Sequence, residues 1–259
     1  MKDALPMCIS VLCILLGITI IVGCLLYTLP NAPLSDMFIT TPTTQATAAA
    51  TTTIPAIRSA KYVIQNVPLV KQFPAYPTGC EAISAIMALQ YYNETVLAED
   101  FIDKHLKKGQ LYTKNDKLYG PSPYDKFIGD PRSEQSFGCF APVIEDALIS
   151  YFGNSNRVQN TTGLTMDQLC ALFVQNDIPV LVWVSIYMEP VGLSTVWYDE
   201  NNGEKLQWRT NEHCMVLVGY DKTHYYFNDP YSGLQLRYEK SIANDRHAKF
   251  ENQSLVITK

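Results

Sequence analysis

HCMVLVGYDKTHYYFNDP, running from His213 to Pro230, contains two apolar segments, residues 213–220 and 225–228, around a short polar turn. The pattern is that of two strands joined as an antiparallel hairpin, and Pro230, which has no N–H to donate, stops the pairing. A hairpin brings His213 and Asp229 to one edge of a sheet. With the simplest four-residue turn Asp229 stands opposite Val216, so contact between His213 and Asp229 requires a bulge or bend. Cys214 must point away from its neighbour His213 across the strand, towards a core.

Outward from this hairpin, the sequence predicts helices first and further strands later. Residues 62–70 alternate and read as a strand. Residues 80–92, rich in Ala, Ile and Met with almost no charge, read as a central buried helix, and residues 97–106 as a more polar one. Residues 109–138 hold Gly120-Pro121-Ser122-Pro123, Gly129-Asp130-Pro131 and Gly138, which predict a long irregular loop of the kind that usually serves function. A helix follows Pro142 to about Tyr151. Thr165 with Gln168 forms a capping box for a helix to Gln175. Residues 179–186 read as a buried strand and 196–208, around Asn202-Gly203, as a hairpin. This order predicts an α+β domain.

The N-terminus differs in kind. From Ala4 to Leu29 the chain runs 26 residues without a charge. As a helix this reaches about 39 Å, more than the roughly 30 Å of bilayer hydrocarbon. Lys2 precedes it and the next basic residue is Arg58, so the positive-inside bias places everything after residue 30 outside the cytoplasm. Residues 1–29 are expected to be a transmembrane anchor. The rival is a lipoprotein signal, in which Ile21-Val22-Gly23-Cys24 is the lipobox and Cys24 is lipidated. Residues 30–60, dominated over 40–53 by Thr, Ala and Pro, read as a solvated linker. The folded domain is residues 61–259. Lys2, Arg58, Asp3 and Asp36 cancel, so it carries the whole net charge of −5. Such an acidic balance predicts no nucleic-acid partner.

The chemistry centres on Thr78-Gly79-Cys80-Glu81. With Thr78 as N-cap and Glu81 three residues on, Cys80 occupies the second position of the central helix. There the helix N-terminus favours thiolate, as a cysteine nucleophile requires; equally, a free Cys is often one more small buried residue. A nucleophile needs a base. His105 falls on a surface helix, His224 in a turn and His247 in a polar stretch, whereas His213 begins an apolar strand with Asp229 near enough to orient it. Cys170 lies on an apolar stripe with Met166, Leu169, Phe173 and Val174 and reads as core. Trp197, Trp208 and the 109–138 segment wall a cleft or cover the sheet. No Cys-x-x-Cys or His-Glu-x-x-His spacing exists, so neither a metal nor another cofactor is expected.

Gln72, Gly79-Cys80-Glu81, His213 to Tyr220 and Asn228-Asp229-Pro230, in that order, resemble family thirty-nine of the cysteine peptidases. More closely, the chain resembles the stand-alone extracellular relatives of the bacteriocin leader peptidases in Gram-positive bacteria. Gly129-Asp130-Pro131-Arg132, Phe137 to Pro142 and Pro179 to Trp183 resemble the same subgroup, so the likeness spans about residues 62–259. The resemblance implies a papain-like fold, a helical half plus an antiparallel sheet. It implies Cys80 as nucleophile, His213 as general base and then acid, Asp229 as the residue orienting the imidazole, and Gln72 as an oxyanion-hole donor. A peptide or protein substrate follows, reached from a membrane tether. A wall-peptide amidase or transpeptidase on the same residues, and a non-enzymatic binding module on the same fold, are the alternatives.

Overall fold

The computed structural model describes residues 54–259. The expected anchor, residues 1–29, and the linker as far as residue 53 lie outside the described residues. Among the described residues no helix is long and apolar enough to cross a membrane. The strands are β1 (Tyr62–Val63), β2 (Lys108–Gly109), β3 (Tyr112–Lys114), β4 (Lys117–Gly120), β5 (Phe127–Ile128), β6 (Val158–Asn160), β7 (Val180–Ser185), β8 (Leu193–Asp199), β9 (Lys205–Arg209), β10 (Glu212–Tyr220), β11 (His224–Asp229), β12 (Leu234–Glu239) and β13 (Ser254–Ile257). The helices are α1 (Cys80–Tyr91), α2 (Ala98–Lys104), α3 (Ala141–Phe152), α4 (Met166–Leu172) and α5 (Lys240–Lys249).

The α+β class holds. A seven-stranded sheet runs β12-β11-β10-β7-β13-β6, with β1 added on β10, and every pair in it is antiparallel. Strand alternation divides its side chains between two cores. Leu181, Trp183, Cys214, Leu255 and Ile257 pack with α1, α2 and α3 on one face. Val180, Val182, Met215, Leu217 and Val256 pack with α4 and Phe227 on the other. Met87 of α1 closes on Val216 and Val218.

Several expected elements change shape. The strand over 62–70 is only two residues long, because Asn66 turns into the left-handed region and Pro68 lacks a donor. The segment 109–138 is not one irregular loop. Asn115 and Asp116 both take positive φ, the geometry of a tight hairpin turn, and so let β3 and β4 pair. That hairpin joins the β8–β9 hairpin in a four-stranded sheet, β3-β4-β8-β9. The capping box at Thr165 is formed from both sides. Helix α5 and strand β13, neither expected, complete the domain, and β13 lies between β7 and β6.

The β10–β11 hairpin contains the bulge that contact required. Tyr220 pairs with Tyr225 and Gly219 with Tyr226, but Leu217 pairs with Phe227 and Val216 with Asn228. Val218 is the extra residue. The one-residue slip puts Asp229 level with Met215 instead of Val216, and so on the same face as His213.

Candidate active site

The C-terminal ends of β7 and β11 and the N-terminal end of β10 meet at one edge of the large sheet. His213 and Asp229 are both buried there, and His213 Nε2 lies 2.6 Å from Asp229 Oδ1. Asp229 also accepts the backbone N–H groups of Tyr231, at 3.0 Å, and Ser232, at 3.1 Å. Burial alone would raise this carboxyl, but the His213 hydrogen bond and charge outweigh it and hold Asp229 below its ordinary range. An ionised Asp229 fixes the proton on Nε2 and leaves Nδ1 as the basic nitrogen. Nδ1 makes no hydrogen bond among the described residues. The Tyr231 ring stands edge-on to the imidazole, 6.0 Å between centroids, and limits its rotation.

A cavity of about 110 Å³ opens at this edge, lined by Gln72, Cys80, Phe137, Glu212, His213 and Tyr231 among others. Three of the four residues singled out in the sequence therefore face one space, and the fourth, Asp229, lies behind His213. Gln72 is tied to the same turn, since its backbone N–H donates to Pro230 O at 2.8 Å. Its side-chain Nε2 donates to Pro77 O at 2.8 Å, and Oε1 is buried without a partner. Trp197 and Trp208 are buried and do not line the cavity. They support its wall from behind, Phe137 lying 5.6 Å from Trp208 and 6.2 Å from Trp197 between centroids.

Cys80 departs from its expected setting in two ways. The N-cap of α1 is Gly79, with no side-chain cap, so Cys80 is the first helical residue and Glu81 the second. Thr78 instead donates its hydroxyl to Ser133 O at 3.0 Å, because the 130–133 loop crosses the helix start. Nor does the setting favour thiolate. Burial pushes the Cys80 thiol well above its ordinary value, and the carboxylates of Glu81 and Glu212 add to the rise. Sγ hydrogen-bonds Glu81 Oε2 at 3.3 Å and makes no hydrogen bond to His213.

These two carboxylates are what the sequence reading missed. Glu81 was accounted for as a cap, and Glu212 is screened by its neighbour His213, which points to the opposite face of β10. Both are buried, and Glu81 Oε1 accepts the Cys139 N–H at 2.6 Å. Burial pushes Glu81 up to about 7 and Glu212 well above the carboxylate range, and the charge of Glu81 raises Glu212 further. The available signal, for Glu81, was a single acid in an otherwise uncharged and mostly apolar helix. The other histidines lie elsewhere: His105 and His224 on the surface, His247 buried on α5 and not in the polar setting its neighbours suggested. Cys139, Cys170 and Cys214 are free and buried.

A helix-start cysteine beside a strand-end histidine–aspartate pair, on an antiparallel α+β scaffold, defines a cysteine-peptidase-like domain. The chain belongs to the Peptidase_C39-like family, whose model matches residues 64–255. A crystal structure assigned to the C39-like peptidases, from Bacillus anthracis, superimposes with a TM-score of 0.68 at 24% identity, covering 78% of this chain and 98% of that one. That likeness is one of fold. The uncharacterized protein YvpB of Bacillus subtilis strain 168 is 24% identical over 186 residues, 72% of this chain and 71% of YvpB.

Proposed function

We propose that the chain is a membrane-tethered, extracytoplasmic cysteine peptidase of papain-like fold that cleaves peptide or protein substrates. The observation that carries this reading is the buried 2.6 Å contact of His213 with Asp229, which leaves Nδ1 free at the edge of the cavity that Cys80 and Gln72 also line. In the first step His213 Nδ1 takes the Sγ proton and the thiolate attacks the scissile carbonyl carbon. The negative charge develops on the carbonyl oxygen, where a Gln72 N–H and a backbone N–H near Cys80 donate to it. One such donor is typically worth about 3–4 kcal/mol. Collapse breaks the C–N bond, the imidazolium protonates the leaving amine, and a thioester remains. Water, deprotonated by His213, releases the acid and restores the thiol. The tether rests on the apolar run of residues 4–29, with Lys2 on the cytoplasmic side.

One observation favours a second reading, a binding module with no turnover: the surroundings of Cys80 oppose its ionisation. Alkylation rate against pH separates the two. In the full-length chain, peptide mapping distinguishes Cys80 from Cys8, Cys13 and Cys24. Fast labelling of Cys80 at pH 6 that His213→Ala slows at least tenfold is expected of a thiolate–imidazolium pair. Labelling that rises only near pH 8.5 and ignores His213 overturns the peptidase reading, because that is the behaviour of an ordinary thiol, pKa about 8.5.

A further inference from the structure

Ligand atoms of Cys80, Glu81 and Glu212 all lie within 4.8 Å of one another, and all three residues are buried. The Cys80 Sγ to Glu81 Oε2 separation is 3.3 Å. With a Zn–S bond of about 2.3 Å and a Zn–O bond of about 2.0 Å, the S–O edge of a tetrahedral zinc site is about 3.5 Å. One edge of such a site is therefore already set. A second observation is independent of that distance. Glu212 is only 7% exposed, and its Oε1 has no hydrogen-bond partner, although a buried carboxylate needs one. The Cys139 N–H anchors Glu81 through Oε1, which orients Oε2 towards the thiol, as supporting hydrogen bonds orient metal ligands.

We propose that Cys80, Glu81 and Glu212 form a divalent transition-metal site, with Zn²⁺ the best-fitting ion. One thiolate with two carboxylates suits a borderline ion. Calcium and magnesium prefer six or more oxygen ligands and disfavour sulfur. The cavity leaves the fourth position open to a water molecule. Binding forms one Zn–S and two Zn–O bonds, and the thiol proton and any proton on the carboxylates leave to solvent. Ion binding does not depend on Cys80 being a nucleophile. If the peptidase reading also holds, the ion occupies the Sγ lone pair and blocks attack.

The test titrates the metal-free, full-length chain with Co²⁺ as a spectroscopic probe and then displaces it with Zn²⁺. The expected result is a thiolate-to-cobalt charge-transfer band that saturates at a single equivalent and disappears on zinc addition. Cys80→Ser should abolish the band, and Glu212→Gln should weaken affinity by about tenfold or more, at the scale seen when groups supporting a metal site are lost. Circular dichroism of both variants confirms that they are folded, and Zn²⁺ protection of Cys80 from alkylation in the unaltered chain gives a measurement that needs no variant. Absence of a band together with absence of protection overturns the site. So does a band that survives Cys80→Ser, since another cysteine would then be the ligand.

Discussion

Gly138 has little room for a side chain. Its φ is +148°, and a Cβ there would lie 2.4 Å from Glu81 Oε1 and 2.9 Å from Glu212 Oε2. Both carboxylates rest against its bare Cα. Gly138→Ala must either displace that pair or strain the backbone, and should lower stability by about 2 kcal/mol or more, read from the urea midpoint. At this scale the sequence was informative about residues with distinctive chemistry. Cys80, His213 and Asp229 could be picked out because a thiol at a helix start, an imidazole at a strand start and a Pro-stopped aspartate are uncommon placements, whereas Gln72 came only with the family resemblance. Glu81 and Glu212 could not, because an acid in a first helical turn or beside a strand reads as an ordinary cap or rim residue until burial is known.

Among the elements, those with strong periodicity were legible to within a residue or two: α1, α3, β7 and β10. The capping box of α4 was read from two residues and is present in full, with Gln168 N–H donating to Thr165 Oγ1 at 3.3 Å and Thr165 N–H to Gln168 Oε1 at 2.8 Å. Thr165→Ala should cost about 1 kcal/mol of stability, measured by chemical denaturation, with little effect on Cys80 labelling because α4 packs on the far face of the sheet. The β3–β4 hairpin was hidden by its Gly, Pro, Asn and Asp content, which signals turns and says nothing of short strands between them. Helix α5 was hidden for the opposite reason. It is mostly polar and buries only Ala243 and His247. The bulge at Val218 left no trace in composition, since one more valine in an apolar strand looks like any other, yet it decides which face Asp229 occupies.

For the molecule as a whole, His247 is the acid-sensitive joint. Its Nδ1 lies 3.0 Å from Trp183 O and its Nε2 3.3 Å from Leu164 O; the neutral ring has one N–H, which, donated to the nearer Trp183 O, ties α5 to β7. Burial lowers its affinity for a proton despite the two carbonyls, so the folded pKa lies below the ordinary 6.5. The unfolded chain then binds the proton more tightly. This part of the stability is fully present above about pH 6.5 and is lost as the pH falls towards the folded value, with a slope of up to about 1.4 kcal/mol per pH unit. His247→Gln, whose amide can still donate to Trp183 O, should flatten the urea midpoint between pH 6.5 and 5.

The position of β13 also dictates an order of events during synthesis. Among the described strands it leaves the ribosome last, yet it is the sole partner of β6 and one of the two flanks of β7. Until residues 254–257 emerge, nearly a hundred residues after β6, the sheet has an open apolar flank and cannot close. Closure of the large sheet is thereby deferred until residues 254–257 are available to pair with β6 and β7. A chain cut after residue 250 should stay protease-sensitive and aggregate, whereas the same cut made after folding, by limited proteolysis, should leave β13 held in place.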